Sequence, residues 1–191
     1  MLEKITIDQV FEWEPCDDYT EDRMAELAPE GFLTPIEVLN LPIPPEDRLW
    51  VLLRKEILGE RALRLFACDC AERALPVFEN GYPNDTRPRE AIAVARTYAV
   101  GEATRVELET SRKAADAAAY AAAAYAAAAY ADAAYAAYAA AAAYADAAYA
   151  ATDADADAAA AAYARTAERQ WQLKRLGEYL RGESENGNES K

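Results

Sequence analysis

Residues 114–164 read AADAAAYAAAAYAAAAYADAAYAAYAAAAAYADAAYAATDADADAAAAAYA. Of these 51 residues 36 are Ala, eight are Tyr, six are Asp and one is Thr, and no Gly or Pro occurs between Gly101 and Gly177. Ala has the highest helix propensity of any residue, and over a window this long the preference decides the backbone. The tract is therefore predicted to be helix. It also carries almost no reactive groups, which restricts what the chain can do.

A single rod of that length would run about 75 Å. A compact domain of this size is only about 35–40 Å across, so the tract is expected to fold back on itself as an alanine-rich helical hairpin. Thr152-Asp153 is the expected break, because Thr and Asp accept hydrogen bonds from the free amides of a helix start. Asp132 is a second candidate. The tyrosines supply the bulk that Ala lacks. They read either as spacers with their hydroxyls at the surface or as the lining of a groove for a partner. No membrane span is expected, because the longest uncharged run, 117–131, has 15 residues, short of the roughly 20 needed.

Working outward, the chain divides into an irregular arm (1–45), a helical bundle (46–181, with Ala/Tyr-rich helices over 103–164) and a polar, disordered tail (182–191). The arm is punctuated by Pro29, Gly31, Pro35, Pro42, Pro44 and Pro45, with at most a helical turn in 17–26. Thr34-Pro35 followed by Glu37 is a helix-start signal for 35–41. Leu49, Trp50, Leu52, Leu53 and Ile57 form an apolar stripe that predicts one helix from Pro45-Glu46 to Gly59. Residues 60–78 are apolar on two sides, with Phe66, Cys70 and Ala74 on one and Leu65, Cys68 and Leu75 on the other. Such a helix sits at the centre of its bundle. Residues 80–85 are predicted as a loop, with Asp85 or Thr86 capping a helix that ends at Gly101. A further helix starts at Glu102, and 165–180 form a closing amphipathic helix. The fold class is all-α.

Composition narrows the chemistry. There are 34 acidic and 20 basic residues, a net charge of −14, and no His. Residues 1–60 alone hold 15 acidic and 5 basic side chains. Such a surface repels phosphates, so no direct nucleic-acid binding is expected, and it suits a basic protein partner. Without His there is no imidazole base and no imidazole metal ligand. Ser111 has no evident base beside it, and no glycine-rich phosphate loop occurs. No enzyme activity, cofactor or metal is expected. Residues 1–10 hold no apolar leader run, and three unspaced cysteines fit a reducing cytosol, so a cytoplasmic location is expected. Cys68-x-Cys70 resembles a metal or redox pair. On a helix, however, the two thiols point to opposite sides, and both read as small core residues.

The candidate binding residues are charged and cluster in two segments. Asp69 and Arg73 can pair at i, i+4, and Arg64 and Glu72 lie on one face. Arg87 and Arg89, with Arg61, Arg64 and Arg96, could form a basic island for an anionic ligand. Both sets also read as staples between helices or as solvated surface.

The segment 64–75, RLFACDCAERAL, resembles the signature of the Imm-5-like family of immunity proteins. The similarity extends to RPREAI at 87–92, to the alanine-rich tract, and to a closing ERQWQ…LGEYL helix over 168–180. It covers about residues 46–181. The resemblance implies a cytosolic α-helical protein that binds and neutralises a toxin. Related proteins occur in phages and prophages, so it also implies a phage alternative. That alternative is a counter-defence protein that blocks a defence enzyme as an acidic nucleic-acid mimic, or sequesters an anionic signal nucleotide. A third reading from the residues is an assembly module that homo-oligomerises through its Ala-Tyr helices. The candidate partner-binding residues are Arg64, Asp69, Glu72, Arg73, Arg87 and Arg89.

Overall fold

The computed structural model describes residues 2–122 and 157–182. Among them the chain is predominantly helical. A small antiparallel sheet joins β1 (Ile5–Thr6) to β2 (Phe32–Leu33), with Ile5 opposite Leu33. The arm contributes α1 (Ile7–Glu12), α2 (Glu21–Leu27) and α3 (Pro35–Leu39). Each starts at a threonine whose hydroxyl accepts a backbone N–H: Thr6 from Gln9, Thr20 from Arg23 and Thr34 from Glu37. At Thr6 and Thr34 the Gln9 and Glu37 side chains bond back to the cap, completing capping boxes.

The helix expected over 46–58 is two helices, α4 (Pro45–Leu52) and α5 (Lys55–Leu58). The chain turns out at Leu53 and Arg54, the latter with extended φ −123° and ψ 143°. The physical cause is tertiary: the Arg54 guanidinium stacks at 4.3 Å on Trp13 of the arm and at 4.4 Å on Trp50. Gly59, at φ 76° and ψ 156°, then redirects the chain into α6 (Glu60–Gly81). That helix runs into the expected 80–85 loop. After the turn, α7 (Arg87–Ala99) begins beside Asp85, whose Oδ1 accepts the Arg87 N–H, and Gly101 takes φ 84° beyond its end. The next helix, α8 (Arg105–Ala122), starts three residues later than expected, because Thr104 and Glu107 form the capping box there. The last helix, α9 (Asp157–Leu180), is continuous. The breaks expected at Thr152-Asp153 and Asp132, the tyrosines from Tyr125 to Tyr149 and the 183–191 tail lie outside the described residues.

The core explains the two-sided apolar pattern of α6. One face joins the arm, α4, α5 and α9 through Phe66, Cys70 and Ala74, packed with Ile5, Val38, Leu52, Ile57 and Leu176. The other joins α7 and α8 through Cys68, Ala71 and Leu75, packed with Ile92, Ala95 and Leu108. The arm therefore packs into the main core. Cys68 and Cys70 are free, buried thiols on opposite faces, as the spacing predicts.

Candidate functional site

The most unusual feature of the interior is polar. Asp69 is 7% exposed, Glu168 1% and Gln172 0%, and all three are hydrogen-bonded. Such groups are costly to bury without partners. Here α6 supplies Asp69 and Arg73, α7 supplies Arg96, and α9 supplies Glu168, Gln172, Arg175 and Tyr179.

Asp69 is the hub. Its Oδ1 accepts from the Arg96 guanidinium at 2.6 Å, and its Oδ2 accepts from Arg175 Nε at 2.6 Å and from the Tyr179 hydroxyl at 2.7 Å. Arg96 also donates to Glu72, and Arg175 to Glu178. Arg73 Nε donates to buried Glu168 at 2.7 Å while its guanidinium lies 4.6 Å over the Trp171 ring. Gln172 donates to Glu168 and accepts from Arg169. The result is a lattice of alternating charges tying α6 to α7 and α9.

The electrostatics follow from that geometry. Burial pulls the Arg175 guanidinium down, but its hydrogen bonds to Glu178 and Asp69 outweigh this and hold its pKa above the ordinary value. Arg96 behaves alike, with burial opposed by the Asp69 charge and by its bonds to Asp69 and Glu72. Burial and the neighbouring Asp69 charge raise the Tyr179 pKa, so its hydroxyl stays a donor.

Above the lattice lies an open cleft of about 590 Å³. Asp69, Arg73, Trp171 and Arg175 form its floor, and solvent-facing Glu72 and Lys174 lie on its rim. It can meet a charged surface. Among the described residues, no group of three His, Cys, Asp or Glu side chains is arranged to hold a metal ion. Nor is any helix there long and apolar enough to cross a membrane.

Of the six residues singled out from sequence, Asp69, Glu72 and Arg73 meet in this lattice. The i, i+4 partners Asp69 and Arg73 each reach across to another helix. Arg64, Arg87 and Arg89 do not line the cleft. Arg64 bonds Glu60 at 2.9 Å and lies over the Tyr98 ring, Arg87 bonds Asp85 through two nitrogens, and Arg89 grips Glu79 through two. Sequence reasoning placed Arg96 in a basic island and passed over Glu168, Trp171, Arg175 and Tyr179. A signal for them existed: 168, 172, 175 and 179 recur at helical spacing along the buried stripe of α9, where Leu173 and Leu176 also lie.

Helices fastened by buried ion pairs, with the 64–75 and 168–180 segments meeting in one lattice, define an all-α protein whose distinctive residues bind one another. The chain belongs to the Imm-5-like immunity protein family: the model described as "Imm-5 like putative immunity protein" matches residues 56–179. The whole lattice and its cleft lie within that span. Comparisons with curated proteins and with solved structures gave no match.

Proposed function

We propose that the protein is a non-catalytic inhibitor of the immunity type, which covers a basic protein partner with the acidic face of its first sixty residues. One observation carries the reading. Fourteen of the 15 carboxylates in residues 1–60 are exposed, Asp47 being half-buried. Among the described residues, none from Glu3 to Glu56 has an ion pair within 4 Å, and Glu60 pairs with Arg64. Four of the five cations of the same region are engaged elsewhere, and Lys55 is exposed. Lys4 sits 3.7 Å over the Phe32 ring, Arg23 lies over Tyr19 and bonds the Asp18 carbonyl, Arg48 bonds the Leu39 carbonyl, and Arg54 stacks between Trp13 and Trp50. The negative field is thus left for an outside partner, where it would speed association.

The expectation of a captured signal nucleotide draws no support from the arginines, since Arg64, Arg87 and Arg89 each hold a carboxylate already. Whether the partner is a toxin or a defence enzyme is answered by affinity capture with the full chain in its native host. The expected result is a one-to-one complex with a basic protein, whose association slows steeply as salt rises. Substrate turnover by the pure protein, or capture of no protein partner, would overturn the reading.

A further inference from the structure

Between β1, α2, α3 and α4 the N-terminal region encloses a second cavity, of about 470 Å³. That is the size of pockets that hold drug-sized ligands. Its walls are aliphatic, with Ile5, Val10, Met24, Val38 and Val51 among them. Three carboxylates, Glu14, Glu46 and Asp47, also line it, and among the described residues no Lys or Arg does. The Tyr19 hydroxyl donates to Asp47 Oδ2 at 2.6 Å, fastening the loop after α1 to α4. Glu14, in that loop, is a non-glycine residue at φ 58°. Backbone of this kind is held at a cost, and it clusters at ligand clamps.

An apolar hole lined by three carboxylates that have no ion-pair partner among the described residues selects for a bulky apolar group with positive charge beside it. Protein interfaces place their dominant contacts in this way, as an anchor in a dry pocket surrounded by a polar rim. A volume of this size exceeds one side chain and accommodates two neighbours. We propose that the cavity receives two adjacent apolar side chains carried on a basic segment of the protein partner. This rests on the reading of the chain as a binder of a basic protein, and it names where that partner would be gripped. The cavity residues lie outside the span 56–179 that defines the family, so the grip belongs to the arm and α4 rather than to the shared lattice.

The test titrates isotope-labelled full-length protein with acetylated, amidated hexapeptides, read by amide chemical shifts. Lys-Lys-Leu-Phe-Lys-Lys should shift Ile5, Val38 and Val51 at millimolar concentration or below. It should bind about tenfold more tightly than the same peptide with Ala-Ala at its centre, or than one flanked by Glu. Ile43→Trp, which puts an indole into the half-buried wall, should cut the affinity about tenfold. Glu46→Lys should do the same from an exposed position that does not disturb folding. No shift at millimolar peptide overturns the proposal. So does equal binding of either control, or n-octylamine matching the peptide, which would reassign the cavity to small amines. A captured partner whose affinity ignores both variants removes the cavity and leaves the inhibitor reading standing. Peptide binding with no basic partner captured does the reverse.

Discussion

Arg175 on α9 donates from Nε to Asp69 Oδ2 on α6 at 2.6 Å, across 106 residues of chain. Asp69 simultaneously holds Arg96 and Tyr179, so its removal leaves each guanidinium with only its outer carboxylate, Glu72 for Arg96 and Glu178 for Arg175. Asp69→Asn is expected to cost about 3 kcal/mol of folding stability in urea unfolding, since it breaks two ion pairs to one buried carboxylate at once. Tyr179→Phe, which loses a single bond to a carboxylate, should cost about 1–2 kcal/mol. Glu79→Gln, at the exposed Arg89 pair, should leave the midpoint unmoved.

Gly59 links α5 to α6 at φ 76° and ψ 156°, with open space where a side chain would project. A substitution there meets no clash, so any loss is backbone strain alone. Gly59→Ala should destabilise by about 1–3 kcal/mol, while far-UV circular dichroism at low temperature stays unchanged.

The thiols separate by environment. Cys16 is exposed, and Cys68 and Cys70 are buried. A thiol reagent should label one site quickly in the native protein and the other two only after unfolding. Burial pushes the Cys68 thiol up to about 12, and Cys70 well above its ordinary 9.0. The folded state thus holds protons that the unfolded state releases, and stability should fall as pH climbs from about 9 to about 12. Tyr19 and Tyr179, both raised from 10.0, act in the same direction. Replacing both buried cysteines with Ala should flatten the early part of that slope in pH-dependent urea melts.

Arg54→Ala should remove the stack between Trp13 and Trp50 and cost about 1 kcal/mol. Tryptophan emission should shift to the red, and limited proteolysis of residues 13–20 should quicken. Unchanged emission would mean that the rings pack equally well without the cation.

Much of the architecture could be read from local signals. Thr34-Pro35-Glu37 announced α3, and Gly101 the end of α7. The two-sided apolar pattern of 60–78 marked the central helix. What escaped was set by distant contacts. Leu53 and Arg54 are good helix formers, and the chain breaks there because Arg54 is claimed by a tryptophan 41 positions earlier. The two-residue strands are too short for alternation to register. In the site, Asp69, Glu72 and Arg73 were visible as charges on a helix with little polar surface to spare. Their partners, 24 to 110 residues away, were not, because an ion pair between helices leaves no spacing rule behind. The cavity between the arm and α4 escaped for the same reason, since most of its walls come from arm segments that look like unrelated loops.

The Leu2 amide bonds the Glu56 carbonyl at 2.7 Å, and Ile5, Val10, Met24 and Val38 share one core with Phe66 and Leu176. The portion by which relatives are recognised is therefore smaller than the portion that can fold. Excising 56–179 would strip α6 and α9 of their apolar cover, and the fragment would be expected to clump rather than fold. Any change in the first fifty residues is therefore also a change in the wall against which α6 and α9 pack.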